Sequence, residues 1–168
     1  MKRLSEMNRH LLPIMYGLFI KHLYRYNESF KDLRKELKLR GKNFGEEIAY
    51  SLFSKELIKL HAPLKDGTIR NLIKNLWLQL FGVSPKISEN KGIFKIRDSQ
   101  CVICGTLASE EGEGFLCDFV AGIVEEFFSL VYEIPIQKGW RVSCIETHCK
   151  ALKEEFCEYE LRILEKVG

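Results

Sequence analysis

Five residues between positions 117 and 157 can each donate an electron pair to a soft or borderline metal: Cys117, Glu146, His148, Cys149 and Cys157. Glu146 and Cys149 stand three apart, where a strand should end and a loop begin. Thiolates gathered with one more donor in a small domain form closed tetrahedral sites, and such sites usually hold zinc. Two other readings compete with that chemistry. The chain has six cysteines and no signal-peptide pattern, so reduced thiols are expected, and these also serve as small buried hydrophobes or redox centres. Cys101-Val-Ile-Cys104 is the only C-x-x-C, open to metal, disulfide or redox use, whereas Cys144 shares the core-facing register of Val142 and reads as packing.

The elements that must position these donors follow from hydrophobic periodicity. Leu12, Met15, Tyr16, Phe19, Leu23 and Tyr26 keep the 3.6-residue period of one helix face. Ser29 is an N-cap for a short helix through Leu33 and Leu37 that should stop near Gly41. A third helix is expected from about Asn43 through Phe44, Ile48 and Leu52, ending before Pro63. Asp66 should cap a fourth, with Ile69, Leu72, Ile73, Leu76 and Leu80 inward and Gly82 at its end. After Pro85 the grammar changes. Ile87, Ile93, Phe94 and Ile96 surround a turn composition at 89–92, and a further strand is expected through Val102 and Ile103. Phe115 to Val131 reads as an apolar helix with Cys117 in its first turn. Trp140–Glu146 and Cys157–Ile163 alternate with period 2, an antiparallel pair. The fold class is therefore α+β: a helical N-terminal half packed on a twisted, mostly antiparallel sheet of about four strands.

Bulk numbers bound the function. At 168 residues the chain should be a single domain, 1–168. The longest apolar run, Leu11–Ile20, contains Pro13 and is half the length of a membrane span of about 20 residues, so a cytoplasmic protein is expected. The net charge of +3 hides an asymmetry: residues 1–84 carry 16 basic against 8 acidic groups and residues 85–168 carry 10 against 15. Lys31, Arg34, Lys35, Lys38, Arg40 and Lys42 concentrate the excess. They read as a solvated helix face, with anionic membrane or non-specific nucleic acid as the alternative; nothing marks sequence-specific nucleic-acid recognition.

Pairing the last two strands across residues 147–155 brings Glu146 and Cys157 to one sheet end. Cys149 lies in the connecting loop and can fold over them, and Cys117 at a helix N-terminus faces orphan N–H groups that favour a thiolate. A Cys3Glu tetrahedron is reachable, and His148 competes with Glu146 for the fourth position.

The string Cys117-Asp-Phe-Val-Ala-Gly122, then Glu146-Thr-His-Cys149, then Phe156-Cys157 and a closing strand, resembles the 4-vinyl-reductase-type domain, with Cys101-Val-Ile-Cys104-Gly105 where that family places its first Cys-x-x-Cys-Gly element. The first half is similar to a related family of the same fold superfamily, the Bet-three-like small subunits of the TRAPP tethering complex, through 11–17, Leu39-Arg-Gly41-Lys-Asn-Phe-Gly45, Phe81-Gly-Val-Ser-Pro85 and Ala121-Gly-Ile-Val-Glu125. The resemblance implies a structural zinc on Cys117, Glu146, Cys149 and Cys157, with His148, Cys101 and Cys104 as alternates. The chain departs from that pattern where Lys153-Glu-Glu-Phe stands in place of a glycine before the last cysteine.

The family name suggests a reductase, yet the chain has no G-x-G-x-x-G fingerprint and no nucleophile–base pair at motif spacing. A site with four protein ligands leaves no open position for substrate. The leading expectation is a zinc-stapled, non-catalytic sensory domain that binds an apolar small molecule between the 115–131 helix and the sheet, with Phe119, Gly122 and Trp140 placed to line it. The alternative is a TRAPP-like scaffold subunit that forms a homodimer or a hetero-assembly with related subunits, or touches a membrane surface peripherally.

Overall fold

Ser29 starts the first well-defined helix. Its Oγ accepts the Asp32 N–H at 3.2 Å, the bond expected of an N-cap. The computed structural model of the chain describes residues 18–19, 22–23, 29–52, 66–101, 103–104, 117–133 and 140–165. In chain order the elements are α1 (Phe30–Leu52), α2 (Asp66–Phe81), β1 (Lys86–Asn90), β2 (Ile93–Asp98), α3 (Asp118–Glu133), β3 (Trp140–His148), a 3-10 turn (Lys150–Leu152) and β4 (Cys157–Glu165). The strands form one antiparallel sheet of order β1-β2-β4-β3, with the helical N-terminal half packed on it. Most of the expected helix over 12–26 lies outside the described residues. Residues 18–19 and 22–23 are helical, and Leu23 is buried.

Two expected helices are one. α1 runs 23 residues through Gly41 and Gly45 without a stop. The local signal at Gly41 resembles a C-cap, but the tertiary reason for the glycine is different. A Cβ on Gly41 would lie 2.0 Å from the Phe119 carbonyl oxygen, and one on Gly122 would lie 2.2 Å from the Lys38 carbonyl oxygen. The two glycines let the backbones of α1 and α3 touch where the helices cross.

Charge reinforces that crossing. Lys38 and Lys42, one turn apart and flanking Gly41, reach the buried Glu125 of α3 at 2.8 Å and 2.6 Å. Glu125 also accepts the Cys144 N–H of β3 at 2.8 Å, and Lys38 donates to the Cys144 carbonyl at 2.9 Å. One carboxylate thus ties α1, α3 and the sheet. Burial pushes its pKa up, but the two lysines and the N–H outweigh burial and hold it below the ordinary 4.5. That contribution is fully present above the ordinary value and is lost as pH falls through the lower folded one. Glu125→Gln should cost about 2–3 kcal/mol at pH 7, less than a fully buried pair because the lysines are partly exposed. It should also flatten the acid limb of stability between pH 5 and pH 3, read by urea denaturation.

Three more members of the basic stripe also have acidic partners. Arg34 pairs with Asp118, Lys35 with Asp32 and Arg40 with Glu36. The stripe therefore divides: Lys31, Lys35 and Arg40 are exposed, as expected of a solvated helix face, whereas Arg34, Lys38 and Lys42 turn to α3. Full-length protein should float weakly with vesicles of anionic phospholipid, and reversing the charge of Lys31 and Lys35 should change little. Quantitative flotation abolished by those reversals would contradict this.

The remaining elements follow their patterns. α2 buries Ile69, Leu72, Ile73, Leu76 and Trp77, with Trp77 edge-on to Tyr159 of β4 at 5.5 Å. It ends where Gly82 takes φ 68° and its N–H bonds the Leu78 carbonyl at 3.1 Å. β1 and β2 join through Lys91 and Gly92, both at positive φ (49° and 76°), the geometry of a type I′ hairpin turn. The strand expected through Val102 and Ile103 is absent at the described residues: Ile103 sits in a turn and Cys104 in a helical residue. A strand would send side chains three apart to opposite faces. A turn sends Cys101 and Cys104 to one side, where both meet Cys117.

Candidate metal centre

Four segments converge beneath one end of the sheet. The turn after β2 brings Cys101 and Cys104, and Cys117 precedes the first residue of α3. β3 carries Glu146 two residues before its end and delivers Cys149 one residue beyond its last position, and Cys157 opens β4 opposite Asp98 of β2. All five cysteines are buried, as is Glu146. The ligand atoms of Cys104, Cys117, Glu146, Cys149 and Cys157 all lie within 4.8 Å of one another. Cys104 Sγ stands 3.0 Å from Cys117 and 3.4 Å from Cys149. Cys117 Sγ is also 3.5 Å from Cys101 and 4.0 Å from Cys157. A tetrahedral zinc with Zn–S of about 2.3 Å sets its sulfurs about 3.8 Å apart; the 4.0 Å separation is near that value and the 3.0 Å and 3.4 Å contacts are tighter, so the group is compact enough for one ion once those sulfurs open toward it.

The local chain is built to hold those sulfurs. Cys149 is extended (φ −137°, ψ 126°) and the 3-10 turn follows at once. Lys150 N–H points at Cys157 Sγ (3.4 Å), and Cys149 N–H is held by Glu154 Oε2 at 2.5 Å. Lys153 then takes the left-handed conformation (φ 66°, ψ 21°) and donates to the Lys150 carbonyl. A lysine therefore occupies a backbone conformation that usually favours glycine, and the turn closes despite the departure from the family pattern.

Glu146 is bound on one side only. Its Oε2 accepts the Cys117 N–H at 3.0 Å, while Oε1 is buried with no hydrogen-bond partner. Burial beside the thiols pushes its pKa up to about 10, and burial likewise raises the thiol of Cys117 well above its usual value. A compact set of buried donors, in which Cys104, Cys117, Cys157 and Glu146 resist ionisation by themselves, with one orphaned carboxylate oxygen, has the chemistry of a site completed by a cation. Arg34 stands nearby, bound to Asp118 at the α3 N-terminus, and its pKa is raised first by that bond and then by the fields of Glu146 and Cys149.

His148 goes elsewhere for a geometric reason. Strand alternation would put it on the same face as Glu146. The β3–β4 register slips between them, with Glu146 opposite Tyr159 and His148 opposite Glu158. This bulge at Thr147 turns the imidazole to the outer face. There His148 packs on Phe156 and lies 3.5 Å from Glu158. Glu158, 1% exposed, also binds Arg97 at 2.5 Å and Thr147 Oγ1 at 3.1 Å.

Of the residues expected to line an apolar pocket, two are placed against α1. Phe119 stacks on Phe44 at 5.8 Å and meets Phe19 edge-on. Gly122 is the contact point of the α1–α3 crossing. Both face α1. The side chain of Trp140 lies outside the described residues. Two features were missed by sequence reasoning, the Glu125–lysine tie and the Glu158 network. The signal for the first was present: an acid within an otherwise apolar helix, and two lysines at i, i+4 around a glycine.

Among the described residues no helix is long and apolar enough to cross a membrane. No family model matches the chain. It is 29% identical over 136 residues to an uncharacterised protein of Methanocaldococcus jannaschii, a match covering 81% of this chain and 73% of that one. Its structure resembles the crystal structure of trafficking protein particle complex subunit 3 from Naegleria fowleri, which carries covalently bound palmitic acid. The TM-score is 0.77 at 16% identity, over 97% of this chain and 99% of that one. This chain shares the fold of that subunit along nearly its whole length.

Proposed function

We propose that this chain is a non-catalytic assembly domain, a scaffold that works by contact with related subunits, with one sheet end held by a structural zinc on four of the five donors Cys104, Cys117, Glu146, Cys149 and Cys157. The observation that carries the scaffold reading is the end-to-end likeness to a subunit of a multi-protein complex. The order of the two expectations drawn from the sequence is thereby reversed. Cytoplasmic placement suits the reading, since all six cysteines are free thiols of the kind that compartment keeps reduced. The donor set is closed and buried, which suits a staple better than a reaction centre.

α1 offers the surface. Leu39 and Tyr50 are 53% and 60% exposed and stand about three helical turns apart, hence on one face. Light scattering on purified protein should report a dimer or larger assembly. Leu39→Glu with Tyr50→Glu should reduce it to monomer without lowering the melting temperature. A wild-type monomer, alone and with related subunits, would sink the proposal.

The palmitic acid held by the structural relative favours a second reading, an apolar small-molecule site, which agrees with the 4-vinyl-reductase-type resemblance of residues 101–161. Native mass spectrometry should then find a co-purifying acyl or aromatic compound. No adduct, together with no thermal shift from palmitate or simple aromatics, would remove this reading and leave the first intact.

A further inference from the structure

Zinc takes four ligands in structural sites, and five donors stand within mutual reach. The resemblance selects Cys117, Glu146, Cys149 and Cys157. The distances select differently, and resting on the zinc reading above, we propose that the centre is a four-thiolate site of Cys104, Cys117, Cys149 and Cys157, with Glu146 as the positioning group behind Cys117.

Three observations carry this. Cys104 has the two shortest sulfur contacts of the group, 3.0 Å to Cys117 and 3.4 Å to Cys149. Non-bonded carbon atoms settle about 3.5–4.0 Å apart, and sulfur is larger, so an idle Cys104 would press on two ligand sulfurs. A shared cation would draw those sulfurs into one shell and open them toward the spacing of about 3.8 Å in a zinc tetrahedron. Second, one oxygen of Glu146 already has work: its Oε2 fixes the backbone N–H of Cys117, the kind of outer contact that orients a ligand, while Oε1, without a hydrogen-bond partner, is left to the field of the ion. Third, soft thiolates are the preferred partners of zinc over carboxylate oxygen. Cys101 touches Cys117 but falls outside the mutually close group, and it stays a spare thiol.

The choice of ligand changes what the ion does. With Glu146 as ligand, zinc joins three segments: the start of α3, the end of β3 with its loop, and the start of β4. With Cys104 it also captures the turn after β2, and closes the chain between Cys104 and Cys117 into a metal-bound loop. The four-thiolate set would also favour soft cations such as cadmium over harder ones such as manganese.

Zinc-edge X-ray absorption on the full-length zinc-loaded chain tests this directly. The expected result is four sulfurs and no oxygen in the first shell. Glu146→Gln should keep four sulfurs and one zinc per chain, and Cys101→Ser should do the same. Cys104→Ser should drop the count to three and weaken zinc binding by at least about 10-fold in chelator competition. Hydrogen exchange should show zinc protecting residues 101–104 in the wild type. Three sulfurs and one light atom in the wild type overturn the proposal whatever the variants do, and leave the structural zinc standing. A sulfur count that falls in Cys101→Ser or Glu146→Gln also overturns it. Absence of bound zinc overturns both readings together.

Discussion

Gly41→Ala and Gly122→Ala should each destabilise the protein by about 3 kcal/mol or more, although alanine is the better helix former. On propensity alone the change in a helix interior gains about 1 kcal/mol. Packing reverses the sign, because the new methyl on Gly41 would sit 2.0 Å from the Phe119 carbonyl oxygen and 3.1 Å from the Gly122 Cα. Those are backbone atoms of another helix, so no side chain can swing aside. Relief requires α1 and α3 to separate, and the Lys38 and Lys42 bonds to Glu125 and the Lys38 bond to Cys144 would lengthen with them. Overpacking usually costs about 1–3 kcal/mol, and loss of those bonds adds to it. Gly67→Ala is the control: a Cβ there meets nothing within 4 Å, so it should be neutral or slightly stabilising. Urea denaturation of the three variants gives the comparison. Equal stability of Gly41→Ala and Gly67→Ala would show that the helices do not cross as described.

The same crossing shows what a sequence of this kind reveals and what it hides. Helix faces, the final antiparallel pair and the hairpin were legible because each rests on a local period or a local turn. α2 and β4 bury the residues their patterns named, except that Leu80 is only partly buried against the core. Gly41 misled because a glycine that ends a helix and a glycine that admits a neighbour look alike along the chain. Only the second helix, 81 residues further on at Gly122, tells them apart. The C-x-x-C pair was read as strand for a similar reason, since Val102 and Ile103 have high strand propensity and the thiol partners are remote.

At the candidate centre the donors were legible by type and their arrangement only in part. Cys117, Glu146, Cys149 and Cys157 were named from strand pairing and resemblance, and the structure brings their ligand atoms together. Whether His148 belonged with them depended on a single bulge. Alternation places it inward, the extra residue at Thr147 turns it outward, and no residue type announces a bulge there. Cys104 was an alternate because its position depended on the turn after β2. Charge was the least legible feature: Arg34, Lys38 and Lys42 looked like surface with the rest of their stripe because their acidic partners, Asp118 and Glu125, lie far along the chain.

Removing two of the centre's thiols, Cys149→Ser with Cys157→Ser, should have the other large effect. On the proposed reading the purified wild type carries one zinc per chain and the variant carries none. Both cysteines are fully buried, and each serves both in the set the resemblance selects and in the four-thiolate set, so the result does not depend on whether Cys104 or Glu146 completes the site. Binding energy that exists only in the folded state is folding energy. The ion acts as a cross-link among segments separated by the whole of α3, β3 and their loops, and loss of a cross-link over such loops costs about 2–5 kcal/mol. Where Glu146 is itself a ligand, the uncompensated burial of its Oε1 adds to this. A total of about 4 kcal/mol or more corresponds, for a chain of this size, to a fall in Tm on the order of 10 °C. Chelation of the wild type should produce a similar fall, and re-addition of zinc should reverse it. The serine variant should respond to neither treatment. Elemental analysis that finds no metal in the wild type, with a Tm indifferent to chelator, would mean that five buried thiols gather here for packing alone. The sulfur contacts at 3.0 Å and 3.4 Å would then be the crowding of an ordinary core.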